Sequence, residues 1–224
     1  GQTFCLSMPL DYPGGAVLNP RRHPPQLRPT LRNDKPNWGY RAEWDHPGMT
    51  DVINDDMVLL HLQYSTQWDT LAHVGALFDA DGDGKPEVVF YNGYRLGKEI
   101  VGPTEGKDAG GVPGTMVPAV QTSSANALGV ENMANKCIQG RAVMVDIEAH
   151  FGRAKKAIGY DDLMRIFAAD GIKILPGDLV CFRTGFDEVI FEGRKKPDEH
   201  TLHHTCAGLD GSDQRLLQWI TESK

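Results

Sequence analysis

The sequence lacks the features that mark membrane-spanning, exported or nucleic-acid-binding chains. It contains no run of about 18 apolar residues, so nothing in it reads as a membrane helix. Its first residues, GQTFCLSMPL, have no basic region followed by an apolar stretch, which excludes a signal peptide within the sequence given. No Lys/Arg block is present, and the net charge is −7, from 23 basic and 30 acidic residues. Such a balance disfavours nucleic acid and anionic membranes as partners. The four cysteines form no C-x-x-C pair. A chain of 224 residues can bury a sizeable core without disulfide staples. The expectation is therefore free, buried or half-buried thiols in a cytoplasmic protein. There is no internal repeat and no G-x-S-x-G element, so serine-triad chemistry has little support.

What is present divides into an arm and a body. Residues 1–56 are rich in proline and arginine (NPRRHPPQLRPTLRNDKPNWGY), and proline removes donors and fixes φ, so no regular helix is expected there. Trp38, Tyr40 and Trp44 argue that this arm is ordered and packs on the body, residues 57–224. MVLLHLQ and PEVVFYNGY read as strands, the latter closed by Asn-Gly. Residues 102–118 are a glycine- and proline-rich loop.

From residue 141 the fold signal is clear. RAVMVDI is an apolar strand; YDDLMRIFAADG places Leu163, Ile166 and Phe167 on one helical face, with Gly171 where a C-cap glycine belongs; GDLVCFRTG is another strand. Strand, helix, strand is the crossover that parallel strands need. The fold class is α/β, a single domain with a mixed sheet or barrel-like core and flanking helices. The last segment, DGSDQRLLQWITESK, reads as a helix capped by Ser212, with Leu216, Leu217 and Ile220 as its apolar stripe. A helix in an α/β fold normally feeds another strand. The domain is therefore expected to lack its C-terminal part, roughly a hundred residues on domain-size grounds.

Two stretches carry candidate chemistry. In DADGDGKPE, Asp79, Asp81, Asp83 and Gly84 match the first half of an EF-hand loop, but the twelfth position is Phe90 instead of Glu. A tight acidic turn is the better reading, with a weak Ca²⁺ site as the alternative. In STQWDTLAH, Asp69 and His73 are ligand types suited to Zn²⁺ or Mn²⁺, and four apart on a helical turn they would share a face. A capped helix start with a hydrogen-bonded histidine is the competing explanation.

QYSTQWDTLAH resembles the signature H-x-G-T-H-x-D-x-P-x-H of the cyclase-like metal-dependent hydrolases, which include aryl-formamidases, isatin hydrolase and trans-dienelactone hydrolase. The Thr falls on Thr66, the Asp on Asp69 and the last His on His73; the two earlier histidines fall on Gln63 and Gln67, and the Gly and Pro on Ser65 and Leu71. ALGVENMA (127–134), GRAVMVDIEAH (140–150) and PGDLVCFRTG (176–185) are similar to further segments of that superfamily in the same order. The resemblance implies one divalent ion, Zn or Mn, held by Asp69 and His73 with His203 or His204. Asp210 and Asp213 are the acidic candidates nearby. Losing two imidazoles for amides weakens or removes a second ion. The implied activity is hydrolysis of a small lactone, cyclic amide or aryl-amide by attack of metal-bound hydroxide, with His73 and His204 as catalytic histidines. Trp68, Gln67 and Phe78 are the expected substrate contacts, and a homo-oligomer is the expected assembly. A non-catalytic member that holds a small ligand on a degenerate site is the alternative.

Overall fold

The computed structural model describes residues 4–105 and 121–223, so most of the 102–118 loop lies outside the described residues. The chain forms two compact units: Gly1–Gln67 with Gly140–Lys224, and Trp68–Gln139. None of the helices among the described residues is long and apolar enough to cross a membrane.

In the first unit the arm is built of short antiparallel ribbons. Strand β1 (Gln26–Pro29) is followed by β2 (Leu31–Arg32) and β3 (Lys35–Pro36), which pair through a two-residue turn. Asn33 and Asp34 sit in that turn with φ of 49° and 58°, the double positive φ that a tight hairpin requires and that Asn and Asp tolerate. Next come β4 (Tyr40–Arg41) and β5 (Val52–Ile53), paired with each other, and β6 (Asp56–Leu59), which returns to pair with β1. Tyr40 is the arm's own core. Its hydroxyl donates to Asp45 Oδ1 at 2.6 Å, and its ring lies edge-on to Trp44 at 5.0 Å. Aromatics and ion pairs, not periodicity, hold this segment.

The second unit contains β7 (Ala76–Phe78) paired with β8 (Glu87–Val89) across the acidic turn, and β9 (Ile100–Val101) paired with β10 (Ser124–Ala125). Helix α1 (Val130–Lys136) follows. The Trp68 indole N–H points at Met133 Sδ of that helix, 3.1 Å away.

The rest of the first unit runs β11 (Ala142–Asp146), α2 (Ile147–Phe151), β12 (Lys156–Ile158), α3 (Tyr160–Asp170), β13 (Leu179–Arg183), α4 (Phe186–Glu192), α5 (Glu199–His204), β14 (Ala207–Leu209) and α6 (Gln214–Glu222). Strand β11 pairs with β13 in parallel, Val143 opposite Val180, across the expected helical crossover. Strands β12 and β14 make a second parallel pair. Leu163 and Ile166 of α3 are fully buried, and Gly171 ends the helix in the left-handed conformation at φ 64°. The mixed α/β class holds. Every sheet is two-stranded, however, so no closed barrel forms among the described residues. Beyond single bridges such as Val89 to Arg95, no strand among the described residues carries a ladder on its second edge, and a barrel needs both.

The core of this unit gathers Val145, Ile147, Ile158, Leu163, Ile166 and Leu216. A second cluster, Val189, Ile190, Leu202 and Cys206, receives Met8, Tyr12, Val17 and Leu18 from the arm. Gly14 marks the closest approach: at φ +94°, a Cβ there would collide with the Lys195 carbonyl oxygen. All four cysteines are free; Cys206 is buried and Cys181 half-buried, while Cys5 and Cys137 are exposed. The expectation of hidden thiols fails for those two, one near the chain start and one at the C-cap of α1.

Candidate active site

The last stretch of the first unit's N-terminal half, Gln63–Gln67, borders a cleft of about 560 Å³. One wall is the carboxyl end of the parallel pair: Met144 of β11, Phe182 and Arg183 of β13, then Thr184 and Phe186. Ligands in open α/β sheets bind outside the carboxyl ends of strands, and the volume suits a small molecule. The opposite wall comes from the arm: Met8, Tyr12, Leu18 and Arg22. Tyr64 adds its ring, and its hydroxyl donates to the Gly15 carbonyl at 2.7 Å. Burial pushes the Tyr64 phenol above its ordinary 10.0, so it stays protonated and keeps that bond.

Arg183 is fixed by acids. It meets both Asp146 oxygens at 3.1 and 3.2 Å, Glu188 at 2.6 Å and Glu148 at 2.6 Å. The hydrogen bond it donates to Glu188, then those it donates to Asp146, raise its pKa further. Asp146 also caps α2 by accepting from the Ala149 N–H at 3.0 Å. Glu148 and Glu188 are shared with Arg153, which also pairs with Glu192, so two guanidiniums and four carboxylates interlock at the strand ends. This network has the geometry of a brace. It orders the floor of the cleft.

The sequence-predicted residues fall as follows. Gln67 lines the cleft, while Trp68 (62% exposed) and Phe78 on β7 belong to the second unit. Asp69 and His73 are exposed, and Asp69 is not without a partner. They do not share a helical face. The His73 N–H closes a turn on the Thr70 carbonyl at 3.0 Å, and the Thr70 hydroxyl accepts from Ala72 N–H at 3.2 Å. A threonine that bonds its own backbone competes with helix, and β7 begins at Ala76. Neither ring nitrogen of His73 forms a hydrogen bond among the described residues. His203 and His204 close α5, exposed and adjacent. His203 Nε2 lies 3.2 Å from the Val17 carbonyl, and His204 Nδ1 lies 2.9 Å from that of His200. A ring N–H held by a carbonyl leaves the other nitrogen as a lone-pair donor, the arrangement seen in metal-binding histidines. Asp210 and Asp213 are engaged otherwise. Asp210 binds Ser212, and Asp213 caps α6 while accepting the Tyr160 N–H at 2.7 Å.

Among the described residues, the carboxylates that converge as a set of three or more are Asp79, Asp81, Asp83 and Glu87, with oxygens within 4.8 Å of one another. Four hard oxygen ligands could hold a divalent cation. The turn also satisfies them itself. Asp79 accepts N–H groups from Gly82, Asp83 and Gly84 at 2.7, 3.1 and 2.8 Å, and these, Gly84 first, hold its carboxyl below the usual range. Arg95 covers Asp81 at 3.0 Å and Glu87 at 3.5 Å.

Sequence reasoning missed Arg22, Tyr64 and Arg183. Arg183 was within reach of it: a charged residue at the C-terminal end of a predicted parallel strand is a cleft candidate. Arg22 lies in a proline-rich stretch whose pairing is long-range and leaves no local signal.

The family model named Cyclase matches residues 6–224. A solved structure described as a novel cyclase matches with 26% identity and a TM-score of 0.59, over 100% of this chain and 61% of that one. The chain thus spans 61% of the length of that structure. No curated protein matches.

Proposed function

Since this chain belongs to the Cyclase family, we propose that it is a metal-dependent hydrolase of a small lactone, cyclic amide or aryl-amide. The observation that supports this most is the cleft. It lies at the carboxyl ends of β11 and β13, and its rim is the Gln63–Gln67 segment that leads directly into the Asp69–His73 stretch.

The donor chemistry fits a divalent ion. Asp69 offers a carboxylate, His73 a ring whose nitrogens make no hydrogen bond among the described residues, and His203 or His204 one nitrogen whose opposite face is held by a main-chain carbonyl. A carboxylate with imidazoles suits Zn²⁺ or Mn²⁺. Such an ion, when bound, acidifies a coordinated water and polarises a carbonyl. The chain's own part is to hold it through Asp69 and His73, with one late histidine completing the set, and to move a proton through the other. Trp68, Gln67 and Phe78 are the proposed contacts to a planar substrate.

The test is Asp69→Ala with metal quantified by mass spectrometry on the purified protein. Loss of bound Zn or Mn is expected; unchanged metal content sinks the assignment. A second reading is favoured by one observation: Gln63 and Gln67 stand where the resemblance expects histidines. On that reading the protein holds a ligand without turning it over. A panel of lactones and aryl-amides with Mn²⁺ or Zn²⁺ added separates the two, since binding without any turnover supports the second.

A further inference from the structure

We propose that the cleft of the first unit selects a carboxylate-bearing ligand, with Arg22 as the anion anchor. Arg22 is half-buried and lines both the 560 Å³ cleft and a smaller cavity of about 130 Å³ behind it. Its guanidinium carries five N–H donors. One of its nitrogens, Nη1, donates to the Gln63 main-chain carbonyl at 2.7 Å, and among the described residues no acid pairs with it. The other cation on the cleft wall, Arg183, is already matched by Asp146, Glu148 and Glu188. Arg22 is therefore the unmatched positive charge of this site.

The surroundings narrow the ligand. Met8, Tyr12, Met144, Phe182 and Phe186 give the cleft apolar walls, which suit the body of a small hydrophobic acid. Among the described residues, Asp187, exposed in the first turn of α4, is the acidic side chain that lines the cleft; it penalises a second negative charge and favours a monoanion. The bond to Gln63 holds the guanidinium before a ligand arrives, and a planar guanidinium fork matches a carboxylate in a bidentate way. The proposal builds on the cleft being the ligand site of the proposed hydrolase, where it makes the carboxylate of substrate or product the recognised group.

The test reads binding alone, so hydrolysis and metal content do not enter. Benzoate and hexanoate are titrated against their neutral amides, benzamide and hexanamide, by calorimetry or ligand-observed NMR on the purified chain. At least one acid is expected to bind about tenfold or more tighter than its amide, the range of a charge-assisted pair. Arg22→Gln retains a donor for the Gln63 carbonyl without the charge. It is expected to erase that preference while leaving amide binding and the melting temperature near wild type; Arg22→Ala is expected to do the same for binding. The proposal is overturned if neither acid binds tighter than its amide, or if the preference survives in Arg22→Gln. Loss of metal in Asp69→Ala with no acid preference would leave the hydrolase reading standing and remove this one.

Discussion

Leu216→Ala tests how the last helix is held. In α6, Leu216 is 1% exposed, whereas Leu217 is 40% and Ile220 49% exposed. Leu216 packs into the cluster of Val145, Ile158, Leu163 and Ile166, and Trp219 adds a ring contact to Phe167 at 5.7 Å. The change to Ala removes buried methyl groups and leaves a cavity, which costs about 3 kcal/mol in well-packed cores. Alanine is at least as good a helix former as leucine, so the loss is one of packing and not of helix propensity. For a chain of this size, about 3 kcal/mol lowers the melting temperature by roughly 6–12 °C. Leu217→Ala removes a side chain that is largely in water and is expected to cost less than about 1 kcal/mol. Thermal and urea unfolding of both variants, followed by circular dichroism, measures the contrast. Equal shifts for the two leucines, or a cost below about 1 kcal/mol for Leu216→Ala, would refute the claim that one side chain anchors the helix.

Two further outcomes follow from contacts between the arm and the body and from a helix cap. Gly14→Ala forces a Cβ against the Lys195 carbonyl at a φ of +94°, so the arm is expected to loosen; limited proteolysis should cut residues 1–25 faster than in wild type, and an unchanged rate would count against the contact. Asp213 has its pKa lowered from 3.8, chiefly by the Tyr160 N–H. A depressed carboxylate stabilises the fold above its unfolded pKa and loses that contribution as pH falls through its lower folded value. The stability gap between wild type and Asp213→Asn should therefore be constant from pH 7 down to the ordinary Asp range and shrink below 3.8. Acid titrations of both proteins check this, and a gap that widened on acidification would contradict it.

The parts of the fold written in local pattern were legible. Strand β11, helix α3 and strand β13 announce themselves by an apolar run, by Leu163 and Ile166 at helical spacing, and by a glycine at the C-cap. The arm was not legible as strands, because β1 pairs with β6 about 30 residues away and each ribbon is too short to show a period. The α6 cap was misplaced by one residue for a chemical reason. Ser212 gives its hydroxyl to Asp210 at 2.6 Å, which leaves Asp213 to accept the Arg215 and Leu216 N–H groups. Both are good capping residues, and sequence does not say which acceptor is spoken for. The helical spacing of Asp69 and His73 failed similarly, because Thr70 turned its hydroxyl on the local backbone.

The division of labour inside the first unit explains why the candidate site was only half readable. Its floor belongs to residues 140–224, where parallel strands end in Asp146 and Arg183 and the acids of α2 and α4 lock them. A floor braced by three carboxylates to one guanidinium has little freedom to choose a ligand. Its opposite wall belongs to the arm, which contributes Met8, Tyr12 and the unmatched Arg22. Arg22 is held through the main chain of Gln63, so that anchor does not depend on which side chain stands at 63. The position where the resemblance expects an imidazole can therefore carry an amide without disturbing the bond that holds Arg22. On the proposed reading, ion number is set by the side chains of one short segment and ligand charge by the arginine that its main chain holds.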